Sequence, residues 1–177
     1  MSLLARGEGE GFLGIPYAEP PLADLRWAKP EPVTDWDTPL KADQFGSMCV
    51  QAKDMPLNGM KAGDGDEDCL TLNIFRPSGA EVGDNYPVLF FTHGGSYENG
   101  SGEMDLYTKD PLLAEEAIVV THNYRLGPFG FLAHLAADVN GNQGLHDSLM
   151  ALQWVVDNAE SFGGDPEQVM VFGESAG

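Results

Sequence analysis

Gly173-Glu174-Ser175-Ala176-Gly177 has the G-x-S-x-G form of a nucleophile elbow. A serine on a sharp strand-to-helix turn is held in strained backbone geometry, so the residues two before and two after it have to be small. Gly173 and Gly177 meet that need. Such a turn lifts Oγ above the sheet end, where a base and an acyl substrate can reach it. It also points the N–H of Ala176 toward the oxyanion that forms on an attacked acyl carbon. By itself the pattern is short enough to arise by chance as an ordinary glycine-flanked turn, so context decides. Upstream, His93-Gly94-Gly95-Ser96 follows an apolar run directly. A glycine-rich turn after a strand can expose the further N–H donors that acyl transfer needs. The two signals together, in this order, point to acyl transfer through a serine.

Both signals require strands behind them. Pro87-Val88-Leu89-Phe90-Phe91-Thr92, Ala117-Ile118-Val119-Val120-Thr121 and Val169-Met170-Val171-Phe172 are short continuous apolar runs. Runs of this kind, rich in β-branched and aromatic residues, suit strands buried on both faces of a parallel sheet. Leu70-Thr71-Leu72-Asn73-Ile74-Phe75 alternates at first, as a half-buried strand does. Over 144–161, Leu145, Leu149, Leu152, Val156, Ala159 and the trailing Phe162 recur at spacings of three and four, which predicts a helix resting on that stripe. Gly163-Gly164-Asp165-Pro166 ends it. Strand, helix and strand in succession make a βαβ unit, so the class is α/β with a mostly parallel sheet. Residues 12–54 carry Pro16, Pro20, Pro21, Pro30, Pro32 and Pro39, which remove ladder donors and argue against long central strands there.

The 177 residues are enough for one domain with a sizeable core. The formal charge of −19, from 28 acidic against 9 basic residues, repels polyanions and excludes nucleic acid as an expected partner. It disfavours an anionic membrane surface as well, and its plain meaning is solubility. No run approaches the ~18 apolar residues of a membrane span, and the first residues lack the apolar core of a signal peptide. Cys49 and Cys69 flank a polar stretch rich in glycine and aspartate, either a surface loop that a disulfide would close or the space between two unrelated thiols. A bridge over a loop of this size would contribute ~3 kcal/mol. No spacing among His93, His122, His134, His146 and the cysteines resembles a zinc site, so neither a metal nor an organic cofactor is expected.

Several further blocks carry a resemblance. Phe12-Leu13-Gly14-Ile15-Pro16-Tyr17-Ala18-Glu19-Pro20-Pro21, Leu25-Arg26-Trp27 and Glu67-Asp68-Cys69-Leu70-Thr71-Leu72-Asn73 resemble the N-terminal blocks of type-B carboxylesterases. That family includes the cholinesterases, fungal lipases of this type and the neuroligins. Asn123-Tyr124-Arg125-Leu126-Gly127, Phe129-Gly130-Phe131-Leu132, Gly141-Asn142-Gln143-Gly144-Leu145, Ala151-Leu152-Gln153-Trp154-Val155 and Phe162-Gly163-Gly164-Asp165-Pro166 resemble the blocks that follow. Together they cover residues 12–177, nearly the whole chain.

The resemblance implies an α/β-hydrolase fold, present here as the N-terminal half of one domain over residues 1–177, with later strands, cap, triad acid and triad histidine expected beyond Gly177. It implies an ester hydrolase acting on small-molecule carboxylic esters, with Ser175 forming the acyl-enzyme. The N–H groups of Gly95, Ser96 and Ala176 would form the oxyanion hole. Relatives often carry glycine where Ser96 stands. Glu174 would be a buried acid supporting the nucleophile. Cys49 and Cys69 would pair and close an Ω-type loop, and Arg26 with Glu67 and Arg125 with Asp147 would form structural salt bridges. The isolated chain, without a base, is expected to be inactive. A non-catalytic binding protein or a truncated pseudo-enzyme are the competing readings, because fold alone does not decide function.

Two finer expectations follow. Cholinesterases carry a tryptophan in the first disulfide loop for cation–π recognition, whereas residues 50–68 contain no aromatic side chain; a general carboxylesterase or lipase-like enzyme fits better. The cysteine pair suggests a secreted or extracellular full-length form. Asn99-Gly100-Ser101 matches a glycosylation acceptor, but a glycan there would crowd the site entrance, so a bare loop is expected.

Overall fold

The structure is a computed structural model that describes residues 2–3, 9–34, 38–56, 59–104, 116–137 and 139–177. Most of the leading stretch 1–11 and positions 57–58 of the loop between the cysteines lie outside the described residues. Its main sheet contains β1 (Ser2–Leu3), β2 (Gly9–Pro16), β3 (Thr71–Pro77), β4 (Tyr86–Thr92), β5 (Ile118–His122) and β8 (Gly164–Gly173). A short helix α1 (Gly127–Phe131), a two-strand ribbon of β6 (Ala133–His134) and β7 (Val139–Asn140), and helix α2 (Gln143–Asn158) lie between β5 and β8.

The sheet runs β1-β2-β3-β5-β4-β8. The β1/β2, β2/β3 and β3/β5 pairings are antiparallel, and β5/β4 and β4/β8 are parallel. The sheet is therefore mixed, and its parallel portion is the part that ends in the two chemical signals. Phe91 pairs with Phe172 and Thr92 with Gly173, so β4 and β8 stop side by side. The chain leaving β4 enters His93-Gly94-Gly95-Ser96, and the chain leaving β8 enters Glu174-Ser175. Loops beyond the carboxyl ends of parallel strands are where ligands bind in open α/β sheets.

The core forms where α2 packs on this sheet. Leu72, Phe90, Ile118, Val120, Ala151 and Val155 are buried in one cluster. The helical face differs from the expected stripe: Leu145 and Leu149 are 47% and 62% exposed, while Gly144, Asp147, Ala151 and Val155 turn inward. Close approach explains the choice. A Cβ on Gly144 would lie 2.5 Å from the Arg125 carbonyl oxygen and 2.8 Å from the Phe131 ring, so the helix comes in on its small residues and its large leucines flank the contact. Asn142 (φ 63°) starts the helix, and Gly163 (φ 90°) ends the short 3-10 turn that follows it.

Two other expectations change. A strand does occupy the start of the proline-bearing segment: β2 is eight residues long and ends at Pro16, where a missing donor costs least. Its register shifts between Phe12 and Ile15, and Gly14 in that shift has φ 67°. A leading strand, β1, also pairs with β2. And β8 is not buried on both faces: Met170, Val171 and Phe172 are 62%, 57% and 36% exposed, because β8 is the edge of the sheet and no described element packs outside it.

Candidate active site

Ser175 sits in the left-handed region at φ 55°, a conformation that costs a non-glycine residue of order 1 kcal/mol and that a turn must enforce. Two backbone hydrogen bonds enforce it: the Glu174 N–H donates to the Thr92 carbonyl at 3.3 Å, and the Gly177 N–H to the Glu174 carbonyl at 2.9 Å. Gly173 and Gly177 face each other across the turn and both press on the Thr92 carbonyl. A Cβ on either would overlap backbone.

The neighbouring loop is wound as tightly. Gly95, Ser96 and Tyr97 have φ of 113°, 58° and 61° in succession. The Gly95 carbonyl accepts N–H bonds from Glu98 at 3.0 Å and Asn99 at 3.1 Å, and Gly95 lies so close to Asn99 that no side chain fits. Among the described residues, the N–H groups of Gly95, Ser96 and Ala176 donate no hydrogen bond within the chain. Gly94 brings loop and elbow together. A Cβ there would overlap the Glu174 carboxylate and lie 2.6 Å from the Glu174 carbonyl oxygen and 2.9 Å from Ser175 Cβ.

His93 belongs to the loop. It is buried, donates Nδ1–H to the Gly94 carbonyl at 2.7 Å and stacks on Tyr124 with ring centroids 4.5 Å apart. The Tyr124 hydroxyl donates to the His93 carbonyl at 2.9 Å. Burial pushes the His93 imidazole down to about 4, so it is neutral at pH 7. His122, also buried, bonds the Phe91 carbonyl through Nδ1 at 3.2 Å and meets Ser148 Oγ at Nε2, 3.0 Å away. Burial and then the nearby His93 bring it down to about 3. His134 is exposed and His146 half-buried. Among the described residues no imidazole hydrogen-bonds Ser175, and no cluster of three potential metal ligands occurs.

Glu174, expected as a buried acid, is exposed at the end of the described residues, and its carboxylate lies beside Gly94.

The scaffold under the loop is polar and closed. Cys49 and Cys69 form a disulfide. Arg26 pairs with Glu67 through Nε and through Nη2 at 2.7 Å. Buried Arg125 grips buried Asp147 through Nε at 2.8 Å, Nη2 at 2.7 Å and its backbone N–H at 3.0 Å, and this ties the β5 exit to α2. Asn99 and Ser101 are buried, which leaves no place for a glycan on Asn99. Two residues carry structural roles that no motif announced, although Asn123 opens one of the family-like blocks. The Asn123 side chain accepts from the Gly102 N–H at 2.8 Å and Ser101 Oγ at 3.1 Å and donates to the Ser47 carbonyl at 3.1 Å. The Gln51 side chain, fully buried, donates to the Cys49 carbonyl at 2.7 Å and the Gly100 carbonyl at 3.0 Å and accepts the Gly100 N–H at 2.7 Å. Their partners are far away in sequence, so only the spacing of Gln51 from Cys49 was visible beforehand.

Beside Ser96 opens a shallow hollow walled by Ala52, Tyr97, Glu98, Pro128, Phe131 and Leu132. Among the described residues no helix is long and apolar enough to cross a membrane.

Comparison with known proteins agrees with this geometry. The carboxylesterase family model matches residues 4–177. A para-nitrobenzyl esterase of Bacillus subtilis (strain 168) is 46% identical over 93% of this chain and 34% of its own length. A fumonisin B1 esterase of Sphingopyxis macrogoltabida is 43% identical over 97% of the chain and 32% of its own length. A solved PNB esterase superposes with a TM-score of 0.87 at 42% identity, over 98% of this chain and 36% of that one. The chain thus spans about a third of the length of these relatives. With its α/β-hydrolase fold and these matches, it belongs to the carboxylesterase family.

Proposed function

We propose that the natural polypeptide carrying this chain hydrolyses carboxylic esters through an acyl-enzyme on Ser175. The observation that carries the reading is a strained serine at the adjoining ends of β4 and β8, with the Gly94-Gly95-Ser96 turn packed against it and no hydrogen bond donated within the described residues by the Gly95, Ser96 or Ala176 N–H groups. Ser175 Oγ adds to the ester carbonyl and gives its proton to a base. Charge develops on the carbonyl oxygen, where the three N–H groups meet it. The alcohol leaves with a proton, and water then hydrolyses the acyl-enzyme by the same route.

The base is a histidine outside the described residues, oriented by a carboxylate, in the Ser, Asp/Glu, His order of α/β-hydrolases. His93 and His122 are unsuited, being buried, neutral and bonded to carbonyls. The hollow beside Ser96, lined by Tyr97, Pro128, Phe131 and Leu132 together with Glu98, would take the uncharged part of an ester. With no aromatic residue in 50–68, choline esters are poor candidates. The disulfide favours an oxidising compartment, and so a secreted form.

The test is turnover of a short-chain aryl ester by the intact natural polypeptide, with Ser175→Ala beside it. The variant should lose at least ~10⁴-fold in kcat, and a fluorophosphonate should label Ser175 in the parent alone. Equal turnover by both forms would withdraw the proposal. The 177-residue chain alone should be inactive, its β8 edge being apolar and uncovered; a cooperative melt together with Ser175-dependent turnover would contradict that.

A further inference from the structure

Gln51 stands in the disulfide-closed loop, far from Ser175 in sequence, yet its buried amide is bonded to the segment that returns from the oxyanion loop. Both backbone groups of Gly100 are held, the N–H at 2.7 Å and the carbonyl at 3.0 Å. An amide side chain matches a backbone amide in this two-point way, whereas a hydroxyl or a carboxylate supplies only part of the pattern. Gln51 is itself fixed from behind. Its backbone N–H donates to the Asp64 carbonyl at 2.8 Å, its carbonyl accepts the Gly63 N–H at 2.8 Å, and its Nε2 reaches the Cys49 carbonyl at 2.7 Å.

Gly100 in turn touches the loop's base. With φ 111° it lies so close to the Gly94 carbonyl and the His93 ring that a Cβ would come within 2.5 Å of each. Asn99, its neighbour, donates to the Gly95 carbonyl at 3.1 Å. A second strap runs alongside, from the Ala52 N–H to the Glu98 carbonyl at 2.7 Å. The exposed Lys53–Glu98 pair at 3.4 Å adds little. So the chain from Gln51 to the N–H groups of Gly95 and Ser96 passes through a few contacts, in which Gln51, Gly100, His93, Gly94 and Asn99 are buried.

We propose that Gln51 is a positioning residue for the oxyanion hole: its amide clamps Gly100 and thereby fixes the direction of the Gly95 and Ser96 N–H groups. This rests on the ester-hydrolase reading above. A donor aimed at the transition-state oxygen acts on kcat and leaves ground-state binding largely alone, and this separates positioning from mere support.

The experiment uses the intact natural polypeptide and compares Gln51→Glu, Gln51→Met and the control Lys53→Ala. Active sites are counted by fluorophosphonate titration, so that only folded enzyme enters kcat. Gln51→Glu keeps shape and one acceptor but loses both donors, and Gln51→Met loses all three bonds. We expect kcat per titrated site to fall about 10-fold in the first and more in the second, with KM within about twofold, and affinity for a trifluoromethyl ketone to fall in step with kcat/KM. Lys53→Ala should match the parent. A lowered melting temperature with unchanged kcat per site and unchanged ketone affinity would overturn the proposal. So would failure of both Gln51 variants to fold, which would assign the residue to folding alone. Inactive parent enzyme would instead sink the ester-hydrolase reading.

Discussion

Replacing Gly94 by alanine places one methyl group between the oxyanion loop and the elbow. The backbone φ of Gly94 is ordinary, so the substitution tests contact and not conformation. The new Cβ would sit 2.6 Å from the Glu174 carbonyl oxygen and 2.9 Å from Ser175 Cβ, against the 3.4 Å at which ordinary contact begins. Loop and elbow must therefore part by about 0.5–0.8 Å, because both obstacles belong to a turn that its own hydrogen bonds fix. Overpacking of this kind costs ~1–3 kcal/mol of stability. Misplacement approaching 1 Å costs up to ~10²-fold in rate, or about 2.7 kcal/mol in activation free energy. The assay is steady-state hydrolysis of an aryl ester by the intact natural polypeptide, with a thermal melt of the same preparation. Gly79→Ala is the control, since nothing lies within 4 Å of its Cβ and only its φ of 75° resists the change. If Gly94→Ala turns over as fast as parent enzyme while remaining folded, the loop and elbow do not form one site and the reasoning fails.

Other outcomes can be stated from the same structure. Asp147→Asn leaves the buried Arg125 guanidinium without its counter-charge, and a loss of about 3–5 kcal/mol is expected in a denaturant titration; under ~1 kcal/mol would mean that the pair is not isolated from water. His93 and His122 are held neutral at about 4 and about 3, below the ~6.5 of an unfolded histidine. The unfolded chain therefore takes up protons first as pH falls. Stability from these two sites is full above pH ~6.5 and drains away toward pH 4 and below, by several kcal/mol in all. A melting temperature that stays level between pH 7 and pH 4.5 would contradict their burial. Reduction of Cys49–Cys69 should cost ~3 kcal/mol in the same melts. Free thiols found by mass spectrometry of natively isolated protein would remove the argument for an oxidising compartment.

Chain features that depend on neighbours in sequence were open to reading before any coordinates. β4 and β5 stand out because continuous apolar runs bounded by turn residues have few other uses, β3 because its first residues alternate, and α2 because its apolar residues keep a helical period. The helix's inward side was harder to see. Periodicity weighs side chains by hydrophobicity, and it favoured Leu145 and Leu149, whereas packing selected Gly144 and Ala151 for closeness. β2 was hidden because Gly9, Gly11, Gly14 and Pro16 erase its alternation, and its burial comes from partners some sixty residues away in β3. The expected burial of both faces of β8 was not met because apolar composition says what would gain from burial, while exposure depends on which element lies alongside. Gln51 and Asn123 were out of reach, because a buried amide is defined by its distant partners and by nothing in its own surroundings in sequence.

The strand order β1-β2-β3-β5-β4-β8 also carries a chronology. A ribosome working at about 5–20 residues per second needs roughly 2–8 s to pass from the end of β5 to the start of β8. In that interval β3, β4 and β5 can pair, and the turn of Gly95-Ser96 can wind against Gly100. The elbow is then cast against a finished template. Ser175 enters its high-energy conformation only when Thr92 is already in place to hold it, so the chain is not asked to keep a strained turn in a naked nascent segment.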